Sequence, residues 1–400
     1  MKPALIAMLM ISFVCAPSGY AAAKKPARPV PLLDVQLGAG LSAYLKDICG
    51  WVMTLDVGSG MLKNTKDTEW SVFINGNFAR LLAAGSRILG EKSYRDESLR
   101  WADTFYQQQQ MVMTPALEES GFWGDRGQTG NPYLADAGTA STALAVCSRL
   151  ADPARQALYL NAMNRYARYI REGCLRDPQG KGRQPSTGWV IASGEHRGAL
   201  GCGYYEGHLS LEPYTIATAI TGGAFFSELY SLTDRAEFRE TAMQAVQWLF
   251  KIRKPSGEIP YVLDGKFPYT EEYPLDTMTY SAEGIVGSHT LIADETYRTG
   301  LLRDIAPSVE WLLRTQNRDG SWGELRSQDQ QRSPGVVTLL AWYYRSGNPD
   351  PRIAKAVRQY CRFLLDPENS NAYGVKELVR TTGFVGLVVA DLLKPGVTFN

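Results

Sequence analysis

The stretch Ala245-Val-Gln-Trp248-Leu-Phe250 places apolar residues three and four positions apart, which gives a helix one buried stripe and one solvated face. Similar amphipathic segments recur along the chain, each built around aromatic residues. Such a recurrence indicates a repeat architecture rather than a set of unrelated helices. The other copies are Leu99-Arg-Trp101-Ala-Asp-Thr-Phe105-Tyr106, Met163-Asn-Arg-Tyr166-Ala-Arg-Tyr169-Ile170, Ser308-Val-Glu-Trp311-Leu-Leu313 and Ala356-Val-Arg-Gln-Tyr360-Cys-Arg-Phe363-Leu364.

A second kind of helix precedes each of these segments. It is rich in Gly, Ala and Ser on most sides, which is typical of a helix surrounded by other helices. These inner segments alternate with the amphipathic outer ones, and residues 41–55 supply an outer partner at the N-terminal side. The sequence therefore predicts an all-α fold, an (α/α)6 toroid of alternating inner and outer helices. The inner segments are 75–89, 136–150, 215–232, 280–293, 334–344 and 381–393.

The composition fits one large globular domain and excludes two classes of protein. The chain has 400 residues, with 42 Lys and Arg against 41 Asp and Glu, so its formal net charge is +1. A nucleic-acid partner is not expected, because phosphate binding needs a local excess of basic residues and no basic run occurs. Disorder is excluded by 44% hydrophobic and 11% aromatic residues. We expect a single toroid domain over residues 35–400.

The N-terminal residues 1–23 have the pattern of a cleaved secretory signal peptide. Lys2 supplies the positive start, residues 4–16 are apolar, and Ala21-Ala22-Ala23 end the segment. The apolar run is shorter than the roughly 20 residues that span a bilayer, so no membrane segment is expected in the mature chain. Residues 24–34, which are rich in Pro and basic residues, then form an extended tether. These features predict a secreted or periplasmic protein.

The cysteines offer a candidate disulfide but no metal site. Cys174 and Cys202 bracket a long Gly- and Pro-rich stretch, where a bridge would constrain the unfolded chain. The pairing itself cannot be deduced from sequence. Cys147 and Cys361 lie in helical apolar patterns and are expected in the core. Neither a Cys-x-x-Cys pair nor a His pair at ligand spacing occurs, so we expect no metal and no cofactor.

The lengths of the connections indicate which end of the toroid carries the site. Connections from an inner to an outer helix are short, whereas those from an outer to an inner helix are long. Long connections are usually functional. Because the helices alternate in direction, all the long ones emerge at the N-terminal ends of the inner helices, which is the expected site face. The long connections are 111–135, 173–213, 254–279 and 315–333.

A motif after the fourth repeated outer helix allows a comparison with known families. Gln316-Asn-Arg-Asp319-Gly320-Ser321-Trp322 resembles the Gln/Trp repeat of the α/α-toroid enzymes, and Gly121-Phe-Trp123-Gly124 is a weaker copy. That group includes terpenoid cyclases, prenyltransferases, certain pectate lyases, many (α/α)6 six-hairpin glycosidases and uronate epimerases. The resemblance implies the toroid fold, and it implies that these motifs stabilise turns.

Two branches of that group do not fit the residues present. A terpenoid cyclase of the protonating class needs an Asp-x-Asp-Asp pattern, and only Asp276 stands at the corresponding place, so this branch is less favoured. A prenyltransferase needs an Asp, Cys and His zinc site, which the sequence does not supply. The remaining branch is directed at carbohydrates, which implies a poly- or oligosaccharide as partner.

The connections before the third and fourth inner helices concentrate carboxylates, Tyr and His. Aromatic rings stack on sugar faces, and carboxylates bind hydroxyls or transfer protons. His208 is favoured among the histidines because it lies between acidic residues and its ordinary pKa is near neutral. The candidate catalytic residues are Glu206, His208, Asp276 and Asp136, and the candidate substrate-binding residues are Tyr204, Tyr205, Glu212, Glu272, Tyr273, Tyr280, Trp123 and Asn75.

Several of these residues have an alternative structural interpretation. Asp136 and Asn75 could be N-caps of inner helices. Trp123 and Trp322 could be purely structural, because the motif recurs where no substrate can lie. His289 is expected to be a helix-facing residue with a satisfied hydrogen bond.

Two classes of function remain open from the sequence. The first is an enzyme, either a glycoside hydrolase or a uronate lyase or epimerase. The second is a non-catalytic protein that binds polysaccharide in export or envelope assembly. Two carboxylates facing each other across the central cavity would favour a hydrolase, whereas a cavity lined by aromatics alone would favour a binding protein.

Overall fold

A computed structural model describes residues 31–55, 71–124, 132–175, 188–205, 208–261, 263 and 273–399. In chain order its elements are α1 (Val35–Leu55), α2 (Val72–Leu89), α3 (Lys92–Gln108), β1 (Gln110–Met113), β2 (Glu119–Phe122), α4 (Leu134–Ser148), α5 (Pro153–Glu172), β3 (Gly201–Tyr205), β4 (His208–Pro213), α6 (Thr215–Ala217), a π-helical segment (Thr218–Phe225), α7 (Phe226–Thr233), α8 (Ala236–Lys251), α9 (Pro274–Leu291), α10 (Glu295–Thr315), α11 (Gln328–Gln331), α12 (Gly335–Arg345), α13 (Pro351–Leu365), α14 (Pro367–Tyr373) and α15 (Val379–Leu393).

The inner helices form a closed ring. Helix α2 contacts α4, α4 contacts the π-helical segment, the π-helical segment contacts α9, α9 contacts α12, α12 contacts α15, and α15 returns to α2. Helices α1, α3, α5, α8, α10 and α13 lie outside and pack on this ring. The predicted all-α (α/α)6 toroid is therefore confirmed, and the inner helices begin and end close to the predicted positions.

Glycines at the contacts between neighbouring inner helices explain how tightly the ring closes. A Cβ on Gly138 of α4 would lie 2.2 Å from Thr221 Oγ1 in the π-helical segment. A Cβ on Gly284 of α9 would lie 2.5 Å from the Ala219 carbonyl oxygen. Since real Cβ atoms do not approach so closely, only glycine allows these backbones to pack at this distance. The small-residue composition that marked the inner helices in the sequence is therefore a packing requirement.

The outer helices pack through the predicted stripe. In α13 the buried face carries Ile353, Val357, Tyr360 and Leu364, three or four residues apart. Asp350 begins this helix by accepting a hydrogen bond from the Arg352 amide at 2.8 Å. Burial of one stripe with capped ends fixes each outer helix against the ring.

The tryptophans of the repeated motif are structural. The Trp123 indole Nε1 donates to the Phe105 carbonyl in α3 at 2.8 Å, and the Trp322 indole Nε1 donates to the Leu312 carbonyl in α10 at 2.8 Å. Both indoles are fully buried. Each therefore ties the connection to the outer helix before it, as the resemblance implies.

One face of α9 spans the axis of the toroid. Tyr280 forms an aromatic floor with Phe73 and Phe384, whose ring centroids lie 5.6–5.9 Å apart. One turn further, Glu283 accepts a hydrogen bond from Arg80 at 2.9 Å. At the far end, the Phe399 ring packs against Gly287. A Cβ added at Gly287 would lie 3.1 Å from a carbon of that ring. The axis is thus closed from the floor to Phe399, apart from a cavity of about 20 Å³ lined by residues that include Arg80, Glu283 and Phe384.

The long connections contain two hairpins that the sequence analysis did not anticipate, β1 with β2 and β3 with β4, both antiparallel. They lie at the N-terminal end of the inner ring. In the part of the chain that the structure describes, no helix is long and apolar enough to cross a membrane.

The predicted Cys174–Cys202 disulfide is not formed, which corrects that expectation. Cys202 is a buried free thiol on β3, and burial raises its pKa. The reason is a chain segment at Trp189, whose amide donates to the Ile170 carbonyl in α5 and whose carbonyl accepts from the Gly201 amide. This segment occupies the space between the end of α5 and β3. By contrast, Cys147 and Cys361 are buried as expected.

His289 occupies a structural position, as expected. Its Nδ1 accepts a hydrogen bond from the Trp342 indole at 3.1 Å, and burial lowers its pKa to about 4. The side chain is therefore neutral at physiological pH and locks α9 against α12.

Candidate functional site

A cleft of about 320 Å³ lies at the N-terminal ends of the inner helices. Its walls combine aromatic and charged side chains, as expected for the end that carries the long connections. The tyrosines that line it are Tyr133, Tyr261, Tyr273 and Tyr280, and the charged residues are Asp136, Asp276, Arg332 and Arg380.

Asp136 and Asp276 enter the cleft from different inner helices. Asp136 lies in the first turn of α4, and Asp276 lies in the first turn of α9. Helix α6 contacts both α4 and α9. The side chains of both aspartates line the same cavity. The partial positive charge of each helix N-terminus favours a carboxylate there.

Asp276 is a buried carboxyl with one engaged oxygen. Its Oδ2 accepts a hydrogen bond from Arg332 Nη1 at 3.3 Å, and its Oδ1 has no hydrogen-bond partner within the described residues. Burial raises the pKa of this carboxyl, although the charges of Arg332 and Arg380 act in the opposite direction. Asp276 therefore keeps its proton to a higher pH than an exposed aspartate.

Asp329 caps the helix that carries Asp276. Its Oδ1 accepts hydrogen bonds from the backbone amides of Leu275 and Asp276, at 2.9 and 3.0 Å, and so satisfies the free N-terminus of α9. Burial raises the pKa of Asp329 to about 6. The sequence analysis missed this residue, since a lone Asp far along the chain shows no sign of capping another helix.

A chain of tyrosine hydroxyls runs beneath one wall. The hydroxyls of Tyr133 and Tyr214 are 2.5 Å apart, and the Tyr214 hydroxyl donates to that of Tyr261 at 3.0 Å. Tyr261 in turn packs edge-on against the ring of Tyr273. Tyr214 is fully buried and was also missed from sequence. The chain holds the aromatic wall in a fixed arrangement.

Two arginines also line the cleft. The Arg332 guanidinium lies 5.4 Å from the centroid of the Tyr273 ring, and the Arg380 guanidinium lies 5.3 Å from that of Phe73. Both arginines line an adjoining cavity of about 250 Å³ as well. The two cavities therefore share these cations in their walls.

The structure brings four of the predicted site residues into the cleft: Asp136, Asp276, Tyr273 and Tyr280. It places four others elsewhere. Trp123 and Tyr204 are buried in the core rather than in the lining of the cleft, and Tyr204 packs edge-on against Trp189. Glu212 is exposed on β4, and Asn75 is buried within α2, where its Nδ2 donates to the Ser71 carbonyl at 2.8 Å.

The remaining predicted residues are only partly described. Tyr205 and His208 pair across the β3–β4 hairpin, while Glu206 and Glu272 lie outside the described residues. The N-cap interpretation of Asp136 and Asn75 is corrected, because the capping positions of α4 and α2 are Tyr133 and Ser71. Both helices begin a few residues earlier than predicted, so the two side chains lie inside the first turns.

Comparison with known proteins was made by sequence and by structure. No protein-family model matches the chain, and no curated protein is similar to it in sequence. Among solved structures it resembles the GH76A α-1,6-mannanase of Salegentibacter sp. HEL1_6, with a TM-score of 0.60 and 10% identity over 88% of this chain and 98% of that one. A variant of that mannanase was solved in complex with α-1,6-mannotriose.

Two further solved structures are similar to the same extent. The cellobiose 2-epimerase of Spirochaeta thermophila has a TM-score of 0.58 and 14% identity, over 90% of this chain and 96% of that one. A possible member of the GH105 family from Salmonella enterica serovar Paratyphi A has a TM-score of 0.59 and 13% identity, over 93% and 99%. What the likeness shows is the fold, an (α/α)6 toroid.

Proposed function

We propose that the protein is a carbohydrate-active enzyme, a glycoside hydrolase whose active site is the cleft at the N-terminal ends of the inner helices. The observation that carries the proposal is the entry of Asp136 and Asp276 into one cavity from separate helices. Glycoside hydrolysis uses such a pair of carboxyl groups, one on each side of the bond that is broken.

The environments of the two carboxyls assign their roles. Asp276 is assigned as the general acid, because burial raises its pKa and because its Oδ1 accepts no hydrogen bond from the described residues. It protonates the leaving glycosidic oxygen as the bond to the anomeric carbon breaks. Asp136, half-buried at the N-terminus of α4, is the partner carboxylate that receives a proton from the attacking water or attacks the anomeric carbon itself.

The tyrosine wall supplies the binding surface. Tyr133, Tyr261 and Tyr273 line the same cavity as the acids. Rings of this kind stack on the apolar faces of sugars, and the hydroxyls bind sugar hydroxyls. Because the Tyr214 hydroxyl links two of them, the surface is held before substrate arrives.

Substitution of the two acids tests the proposal. We expect Asp276→Asn and Asp136→Asn each to lower kcat by about 100-fold or more on a susceptible oligosaccharide, because each change removes proton transfer with little change of shape. Turnover is measured on a panel of neutral and uronic oligosaccharides, and melting confirms folding. Asp152→Asn, at the exposed start of α5, is the matched control and should leave turnover unchanged.

Two results would contradict the hydrolase. Saccharide binding by the wild-type protein without turnover on any member of the panel would indicate a binding or scaffold protein. Full activity in both variants would place the chemistry outside this cleft.

A uronate lyase or epimerase is the second candidate, and the Tyr133–Tyr214–Tyr261 hydroxyl chain favours it. In these reactions a base removes the proton beside the uronate carboxylate, and a tyrosine can serve as acid or base. Reaction in ¹⁸O-labelled water separates the candidates. Hydrolysis adds labelled oxygen to a product, whereas elimination forms a carbon–carbon double bond and adds none.

We also propose that the chain is exported and that its signal peptide is removed. The support is the sequence pattern of residues 1–23, which lie outside the described residues. N-terminal sequencing of protein recovered outside the cytoplasm should start near Lys24. Recovery of protein that still begins at Met1 would overturn the proposal.

A further inference from the structure

Arg380, at the start of α15, is a half-buried cation that makes no ion pair within the described residues. Its guanidinium stacks on the ring of Phe73 at 5.3 Å and donates no hydrogen bond within the same part of the chain. An arginine has five N–H donors in a fixed planar fork. The carboxylates of Asp276 and Asp136 act on its charge without accepting a hydrogen bond from it, so its donors are available to an anion.

Arg332 leaves most of its donors available in the same place. Within the described part of the chain it donates one hydrogen bond, from Nη1 to Asp276 Oδ2 at 3.3 Å. Like Arg380, it lines both the cleft and the adjoining cavity. Two positive charges that line one cavity favour an anion inside it.

The adjoining cavity has the lining of an anion site. It measures about 250 Å³, and no acidic residue stands among the described residues that line it. Besides the two arginines, Gln328, Gln331 and Thr381 present further hydrogen-bond donors. The carboxylates of Asp136 and Asp276 line the cleft instead. The acidic side chains of the described residues therefore line the cleft, and none of them lines the adjoining cavity.

We infer that the cavity bounded by Arg332 and Arg380 binds an oxyanion of the saccharide, a carboxylate or a phosphate, on the sugar unit next to the bond that is cleaved. The inference rests on the proposed function for the position of that bond, and it names the substrate class as acidic saccharides. A guanidinium fork holds a carboxylate or phosphate through two parallel hydrogen bonds. The two cavities share Gln328, Arg332 and Arg380, so one substrate can occupy both.

The test compares ligands that differ only in charge. Dissociation constants are measured by titration calorimetry for D-glucose, D-glucuronate and D-glucose 6-phosphate, with inorganic phosphate as an anion without a sugar. We expect the wild-type protein to bind at least one charged sugar about 10- to 100-fold more tightly than glucose, the range for hydrogen bonds to a charged group. The tighter of the two charged sugars identifies carboxylate or phosphate as the natural group.

Substitutions of Arg380 test whether this residue causes the preference for the charged sugar. Arg380→Met should abolish the preference for the charged sugar, because it keeps the apolar stem over Phe73 and removes the charge. Arg380→Lys should restore part of the preference, since it returns the charge without the fork. Arg303→Met is the matched control, because Arg303 is 78% exposed on α10, and it should behave as wild type.

The outcomes separate this inference from the proposed function. Equal affinities for glucose and both charged sugars, or no detectable binding of either charged sugar, would overturn the oxyanion site even if the protein hydrolyses neutral oligosaccharides. A charge preference that survives in Arg380→Met would also overturn it. Conversely, a preference that depends on Arg380 in a protein without turnover would support the site and refute the hydrolase. Since the first comparison uses wild-type protein, it holds even if a variant fails to fold.

Discussion

The ionisation of a single residue, Asp329, links pH to the stability of the site. Its pKa of about 6 in the folded protein lies above its ordinary value of 3.8, so the folded state binds the proton more tightly. Its contribution to the free energy of unfolding is therefore greatest below about pH 4 and is lost as the pH rises toward 6. We expect Asp329→Asn to reduce the fall in melting temperature between pH 4 and pH 7, because Asn keeps the capping oxygen and removes the titration.

Asp152 is a control, because its pKa is shifted in the direction opposite to that of Asp329. It is exposed, and the hydrogen bond from the Arg155 amide lowers its pKa, so its stabilisation is lost only below about pH 4. Asp152→Asn should leave the change in melting temperature between pH 4 and pH 7 as in wild type. An unchanged pH profile in Asp329→Asn would show that Asp329 ionises normally in the folded protein.

Individual site residues could be predicted from the sequence only where several acidic and aromatic residues stand close together in the chain. Asp276, Tyr273 and Tyr280 stand together in one aromatic and acidic connection, which is why they were identified. Arg332 and Arg380 were not, because each stands without such neighbours in sequence. They meet Asp276 only because the ring closes and brings the start of α15 beside α9 and α11.

At the scale of elements, the packing of the π-helical segment against α9 depends on Gly284. We expect Gly284→Ala to lower the free energy of unfolding by about 1–3 kcal/mol, because the new Cβ would meet the Ala219 carbonyl at 2.5 Å and force the helices apart. Gly300→Ala in α10 is the matched change, since a Cβ there meets nothing within 4 Å. It should raise stability by about 0.5–1 kcal/mol through helix propensity. Urea denaturation measures both, and equal effects would contradict the packing argument.

Most helices could be predicted from the sequence because their small or apolar residues recur at a helical period along the whole helix. The alternation of small-residue and amphipathic segments was sufficient for the order of inner and outer helices. The β1–β2 and β3–β4 hairpins were missed, since strands of four to six residues carry little alternation. The π-helical segment was missed because its sequence has the same small-residue composition as the α-helical inner segments.

For the molecule as a whole, the C-terminal residues contribute to stability at the end opposite the cleft. Phe399 is buried, packs at Gly287 and lies 5.8 Å from the Arg80 guanidinium. We expect Phe399→Ala to lower the free energy of unfolding by about 3–5 kcal/mol while leaving ligand affinity unchanged in the folded protein. Denaturation and calorimetric titration measure the two effects. A weaker affinity with normal stability would show that the two ends of the toroid are coupled.

The filled axis also determines how a long polymer can be handled. The aromatic floor of Phe73, Tyr280 and Phe384 closes the cleft from below, and the Arg80–Glu283 pair and Phe399 fill the ring beyond it. The toroid is therefore a cup rather than a tunnel. For the hydrolase proposed above, a glycan could not be threaded through the ring, so each product would leave through the mouth by which its precursor entered. Successive cuts along one strand would then require release and recapture, and we expect a distributive mode of action.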